Sequence, residues 1–139
     1  MAARQFQQFQ GVLEKGLVTL YANIPIGATG AVGTLDKSKN QGISSVVRNS
    51  AGNYTISFGD SVQGSVDKYV RLMDVSSNVL LGSVSATGGV QIFSDSASSG
   101  SIVIQFVGPT NSSTTTPIAV DPDNTSVILL SITLKNASI

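Results

Sequence analysis

An all-β fold is predicted: a single antiparallel β-sandwich or barrel-like domain of about seven or eight strands, with a short N-terminal arm or helix. Three observations point there. The 139 residues include 21 Ser, 11 Thr, 14 Gly and 16 Val. Apolar and polar residues alternate through much of the length, the period of a strand. Turn-forming clusters recur at short intervals, while Ala, Leu, Glu and Lys are too sparse for a long helix. The division expected is residues 1–16 as arm or short helix and residues 17–139 as the sandwich domain.

In the N-terminal segment Gln5, Gln7, Gln8 and Gln10 cluster with Phe6 and Phe9. Phe6, Phe9 and Leu13 follow the 3–4 spacing of one helix face, and Gly16 suits a C-terminal cap. Two readings stay open: a short helix or frayed end on its own domain, or an arm whose Phe side chains dock on a neighbouring subunit.

From Leu17 the period becomes two. Leu17, Thr19 and Tyr21 alternate with Val18, Leu20 and Ala22, and apolar residues on both sides predict a strand covered on both faces. Pro25 limits further pairing. Gly27, Gly30 and Gly33 then allow a sharp bend or an exposed loop. Residues 43–48 and 54–58 form two β-rich runs joined by a five-residue link containing Gly52, which predicts a hairpin. Residues 69–75 and 79–84 flank Ser76-Ser-Asn78 and predict a second hairpin. Residues 90–93 and 102–107 are two further strands separated by a Ser-rich loop, 94–101. Residues 108–124 form a long polar loop with Pro109, Pro117 and Pro122, part of it extended around Thr114-Thr-Thr116. A loop of this length often carries function or an interface. Residues 127–134 close the chain as a strand that is central or covered by a partner.

Composition removes many chemistries. The chain has no His, no Cys and no Trp, and Glu14 is its one Glu. Disulfides, Cys-based zinc sites and thiol nucleophiles are therefore impossible, and Ser has no His to activate it. Charged residues are 12% of the chain, and eight basic residues balance eight acidic ones. Such a chain lacks the long-range field that recruits nucleic acid or an anionic membrane. Low net charge also gives little protection against self-association. Residues 1–15 lack the apolar run of a signal peptide, so synthesis in the cytoplasm without a standard export route is expected. The apolar run 127–130 is too short for a membrane helix.

Several motifs have ordinary explanations. Gly27-x-x-Gly30-x-x-Gly33 lacks the spacing, the Lys-Ser/Thr and the following helix of a phosphate-binding loop. Asp121-Pro-Asp123-Asn124 offers oxygen ligands for calcium, but it lacks the turn Gly and terminal Glu of an EF-hand loop; a Pro/Asx turn is expected instead. Four Asn-x-Ser/Thr sequons follow from the abundance of those residues. Lys37, Lys39 and Arg48 form the densest basic patch and are expected to be a solvated rim. Nothing positions two carboxylates across a glycosidase cleft.

The series Leu17-Val-Thr-Leu-Tyr21, Ile26-Gly-Ala-Thr-Gly30, Thr34-Leu-Asp36, Gly42-Ile-Ser-Ser-Val-Val-Arg48 and Gly52-Asn-Tyr-Thr-Ile56, with the ending Val127-Ile-Leu-Leu-Ser-Ile-Thr-Leu-Lys-Asn136, resembles small structural proteins of tailed bacteriophages. The resemblance covers roughly residues 17–136 and not the N-terminal segment. It implies a non-enzymatic virion component without cofactor, metal or small-molecule substrate. The expected role is a capsid decoration (cement) protein on the head surface, bound to the major capsid protein and to copies of itself. A trimer would suit a local three-fold axis. The alternative is a head or tail fibre protein that binds a host surface through residues 94–101 and 108–124. Phe6, Phe9 and Leu13 are the candidate capsid or subunit contacts.

Overall fold

The computed structural model describes residues 17–58, 71–80, 89–108 and 118–135. Eight strands run through them: β1 (Leu17–Pro25), β2 (Ile43–Ser50), β3 (Asn53–Phe58), β4 (Arg71–Leu80), β5 (Gly89–Ser96), β6 (Ser101–Gly108), β7 (Ile118–Ala119) and β8 (Val127–Lys135). Two 3₁₀ turns, Ala28–Gly30 and Ala97–Ser99, interrupt the connections. The strands form two antiparallel sheets, ordered β1-β8-β4 and β2-β3-β6-β5, and the short β7 pairs with the end of β6. The sheets pack face to face as a β-sandwich, with β1 near β2 and β4 near β5.

Alternation builds the core. Leu20, Ala22 and Ile24 of β1 and Ile128, Leu130, Ile132 and Leu134 of β8 point inward from one sheet. Tyr54, Ile56 and Phe58 of β3 and Ile102, Ile104 and Phe106 of β6 meet them from the other. The β-branched and aromatic side chains suit the pleated surface, and each fully buried Ile stabilises the fold by about 1.5–3 kcal/mol relative to exposure. Tyr54 and Phe106 pack edge to face, with ring centroids 5.6 Å apart at 83°.

The expected hairpin of β2 and β3 is present with a tighter turn, because both strands extend toward Ala51-Gly52. β5 and β6 also form a hairpin, and Ser94–Ser96 belong to β5 rather than to a loop. Two other expectations need correction. Ser76-Ser-Asn78 is not a turn: β4 runs straight through it, with Ser76, Ser77 and Asn78 opposite Ser131, Leu130 and Leu129. A Ser/Asn cluster has turn propensity, but pairing along the whole of β8 overrides it. Nor is β1 covered on both faces among the described residues: Tyr21 is 62% exposed on the outside of the sheet. β8 is central in its sheet, as expected, while Leu129 reaches its outer face.

Among the described residues, the long edge strands are modified. β2, β4 and β5 each carry register shifts, with extra residues at Ser44, Asn49, Met73 and Phe93. Bulges of this kind break the regular edge that would template another strand. β1 is capped instead by a buried side chain. Asn40 Oδ1 accepts the Asn23 N–H at 2.8 Å, and Asn40 Nδ2 donates to Asn23 O at 3.0 Å and to Asp36 O at 2.8 Å. Its amide thus acts as one residue of an adjoining strand. Asn40→Ala should cost about 1–3 kcal/mol, because it leaves backbone groups of Asn23 unpaired. Chemical denaturation measures that loss, and faster hydrogen exchange at the Asn23 amide should accompany it.

Candidate functional site

The most organised polar cluster among the described residues centres on Asp121, where three connections meet at one end of the sandwich. Near the end of β2, Arg48 lies directly opposite Tyr54, the second residue of β3. The inward alternation of β2 therefore places a guanidinium next to a buried phenol. The β2–β3 turn contributes Gly52, and the 3₁₀ turn after β1 contributes Gly30. Asp121 arrives on the segment after β7, steered by the Val120 N–H donating to Phe106 O at 3.0 Å and followed by the fully buried Pro122.

Arg48 grips the carboxylate with both arms: Nε donates to Oδ1 at 2.9 Å and Nη2 to Oδ2 at 2.6 Å. The Gly52 N–H donates to Oδ1 at 2.9 Å. The Tyr54 hydroxyl lies 2.8 Å from Gly30 O and 3.1 Å from Asp121 Oδ1, so its one hydrogen is shared between them. Burial alone pushes the Asp121 carboxyl up, but Arg48, the Gly52 N–H and the Tyr54 hydroxyl together hold it below its ordinary value of 3.8. Burial and the adjoining carboxylate push the Tyr54 phenol up, so it remains a donor. The hydrogen bonds that Arg48 donates to Asp121 raise the guanidinium above its ordinary value. Closeness at Gly30 matters too. A Cβ there would lie 2.3 Å from Asp121 Cγ, and the residue has φ +75°.

This arrangement is a clasp between loops. The carboxylate is neutralised by a bidentate guanidinium and its oxygens already accept four hydrogen bonds, which leaves it a poor base, nucleophile or cation ligand. The calcium question raised by Asp121 and Asp123 resolves accordingly at Asp121, since a cation would have to displace Arg48. Among the described residues no group of three His, Cys, Asp or Glu is placed to hold a metal ion. After Pro122 the chain does turn, with the Ser126 N–H donating to Asp123 O at 3.1 Å. A separate Asx turn forms at Asp36: its Oδ1 accepts the Ser38 N–H at 2.9 Å and the Ser38 hydroxyl at 2.7 Å, and these bonds lower the Asp36 carboxyl.

Arg48 corrects the expectation of a solvated basic rim. Lys37 and Lys39 are exposed, whereas Arg48 is committed to Asp121. The Gly27–Gly33 stretch bends sharply, as expected, with the Gly27 N–H donating to Ala31 O at 2.7 Å. Phe6, Phe9 and Leu13 lie outside the described residues, as do residues 109–117 of the long polar loop.

The two outer sheet faces differ in character. On β1-β8-β4 the outward positions include the exposed Leu17, Tyr21, Leu80 and Leu129, set among Ser, Thr and Asn side chains, with Asp74 and Lys135 toward the Leu17 end. The outer face of β2-β3-β6-β5 is uncharged and mostly polar, with Val47, Val103 and Val107 among its Ser, Thr, Asn and Gln side chains. Comparison with family models, curated proteins and solved structures finds no match for this chain.

Proposed function

We propose that this protein is a non-enzymatic virion structural protein: a capsid decoration (cement) protein that binds the outer surface of a tailed-phage head as a homo-oligomer, a trimer at local three-fold positions. The observation that carries the reading is the outer face of β1-β8-β4. Tyr21 and Leu80 are 62% and 64% exposed there, with Leu129 in the row between them. A protein with this little charge gains solubility and stability when such a face is covered by a shell or by its own copies. The clasp at Asp121 adds to the same reading, because it ties three connections into a rigid end, and preorganised surfaces lose less entropy on repeated docking.

Phe6, Phe9 and Leu13 are assigned as capsid or subunit contacts, since buried aromatic anchors dominate interface energies. Replacing Phe6 and Phe9 together with Ala should abolish co-sedimentation with capsids while leaving the thermal midpoint of the free protein unchanged. Saturation of capsids by that variant at wild-type concentrations would remove the arm from the account.

A further inference from the structure

The outer face of β2-β3-β6-β5 carries three rows of side chains that cross the strands in register. The first row is Ser45, Ser57, Ser101 and Ser96, one serine per strand. The second is Val47, Thr55, Val103 and Ser94. The third is Ser50, Asn53, Gln105 and Gln91. None of the twelve is charged, and none is buried.

The third row is a continuous hydrogen-bonded chain. Gln91 Nε2 donates to Gln105 Oε1 at 2.6 Å, Gln105 Nε2 to Asn53 Oδ1 at 2.9 Å, and Asn53 Nδ2 to Ser50 Oγ at 2.8 Å. All donors run the same way, from β5 to β2. Each amide orientation is therefore set by its neighbour, and each NH₂ keeps a second hydrogen beyond the one the row uses. Between this row and the serines lies a strip with two Val side chains and a Thr methyl; Val47 is 52% exposed.

We propose that this face binds an uncharged oligosaccharide or polysaccharide lying across the strands. The chemistry matches on three counts. Fixed amides and hydroxyls on either side of the strip pair with sugar hydroxyls, and the Val side chains receive the C–H face of the rings. Rows two residues apart are separated by about 6.7 Å, so the strip with its two flanking rows can bracket one sugar chain. The strand spacing of about 4.8 Å is close to the length of one pyranose along an extended glycan.

Other occupants fit less well. Phosphate-bearing ligands would find no cation in these rows. The patch measures about 15 by 15 Å from strand spacing and rise, far below the ~800 Å² per partner of a standard protein interface. No ion has to be desolvated when a neutral ligand covers it. The proposal is independent of capsid attachment, which uses other residues.

The test titrates the full chain, followed by side-chain amide and methyl NMR, with four defined neutral probes: maltohexaose, cellohexaose, laminarihexaose and chitohexaose. At least one should bind, with shifts concentrated at Gln91, Gln105, Asn53, Val47 and Val103 and with an affinity indifferent to added salt. Gln105→Ala should weaken that binding about tenfold, the equivalent of one or two lost hydrogen bonds. Gln91→Ala, on the edge strand, serves as the second variant if Gln105→Ala loses its thermal midpoint. Absence of shifts at these residues with all four probes overturns the proposal. So does binding that survives in a folded variant, or that maps to another surface.

Discussion

Replacing Gly52 with Ala is expected to destabilise the protein by about 3–5 kcal/mol, a large part of the ~5–15 kcal/mol that holds a domain together. Gly52 has φ +72°, a conformation that costs an L-residue about 1–2 kcal/mol. A Cβ there would also lie 2.7 Å from Phe106 O and Val120 N and 2.9 Å from Val120 O. All three are backbone atoms of β6 and the segment after β7, so no side-chain rotation relieves the overlap; the strands themselves must part, which costs a further ~1–3 kcal/mol. The Gly52 carbonyl accepts the Phe106 N–H at 2.8 Å and its N–H binds Asp121, so the displacement reaches the clasp as well. Gly89→Ala is the control. Its added methyl meets nothing within 4 Å, and it should change stability by no more than about 1 kcal/mol. Urea midpoints of the two variants decide the matter; similar midpoints would mean that the β2–β3 turn is not packed as described.

Asp121→Ala should have the next largest effect, about 2–4 kcal/mol. The range lies between exposed and fully buried ion pairs because Asp121 and Arg48 keep 19% and 33% side-chain exposure. The loss exceeds one ion pair, since the Gly52 N–H and the Tyr54 hydroxyl lose an acceptor at the same time. The pH dependence has a definite sign. The folded carboxyl titrates below its ordinary 3.8, so its contribution is complete above the unfolded value and is lost as pH falls through the folded one. Wild-type stability should therefore decline from about pH 5 downward. Asp121→Asn keeps the shape but carries no titrating group, and its stability should fall less steeply over the same interval. A double-mutant cycle with Arg48→Ala should show strong non-additivity, because each single change strands the other partner. Additive losses would contradict the clasp.

The strands were legible where alternation was clean. Tyr54, Ile56 and Phe58 face the core with Thr55 and Ser57 outside, and the same reading works for β6 and β8. It failed where local chemistry and long-range pairing disagree. Ser76-Ser-Asn78 has the composition of a turn, and only the presence of β8 alongside explains why it stays extended. The covered outer face expected for β1 came from counting apolar residues on both sides, which cannot tell an inner face from a surface patch. Arg48 and Asp121 are 73 positions apart, so no spacing rule joins them. The one available signal was Arg48 itself: it occupies an inward position two residues after the buried Val46, where a charge demands a partner. The amide row was equally hidden, since Ser50, Asn53, Gln91 and Gln105 read as ordinary polar positions until strand register brings them into line.

Immunogold labelling of intact virions that carry this protein tests the functional account most directly. Label distributed over the head is the predicted result, and it would support the decoration role proposed above. Label confined to the tail, or absent from both intact and opened particles, would contradict a decoration role.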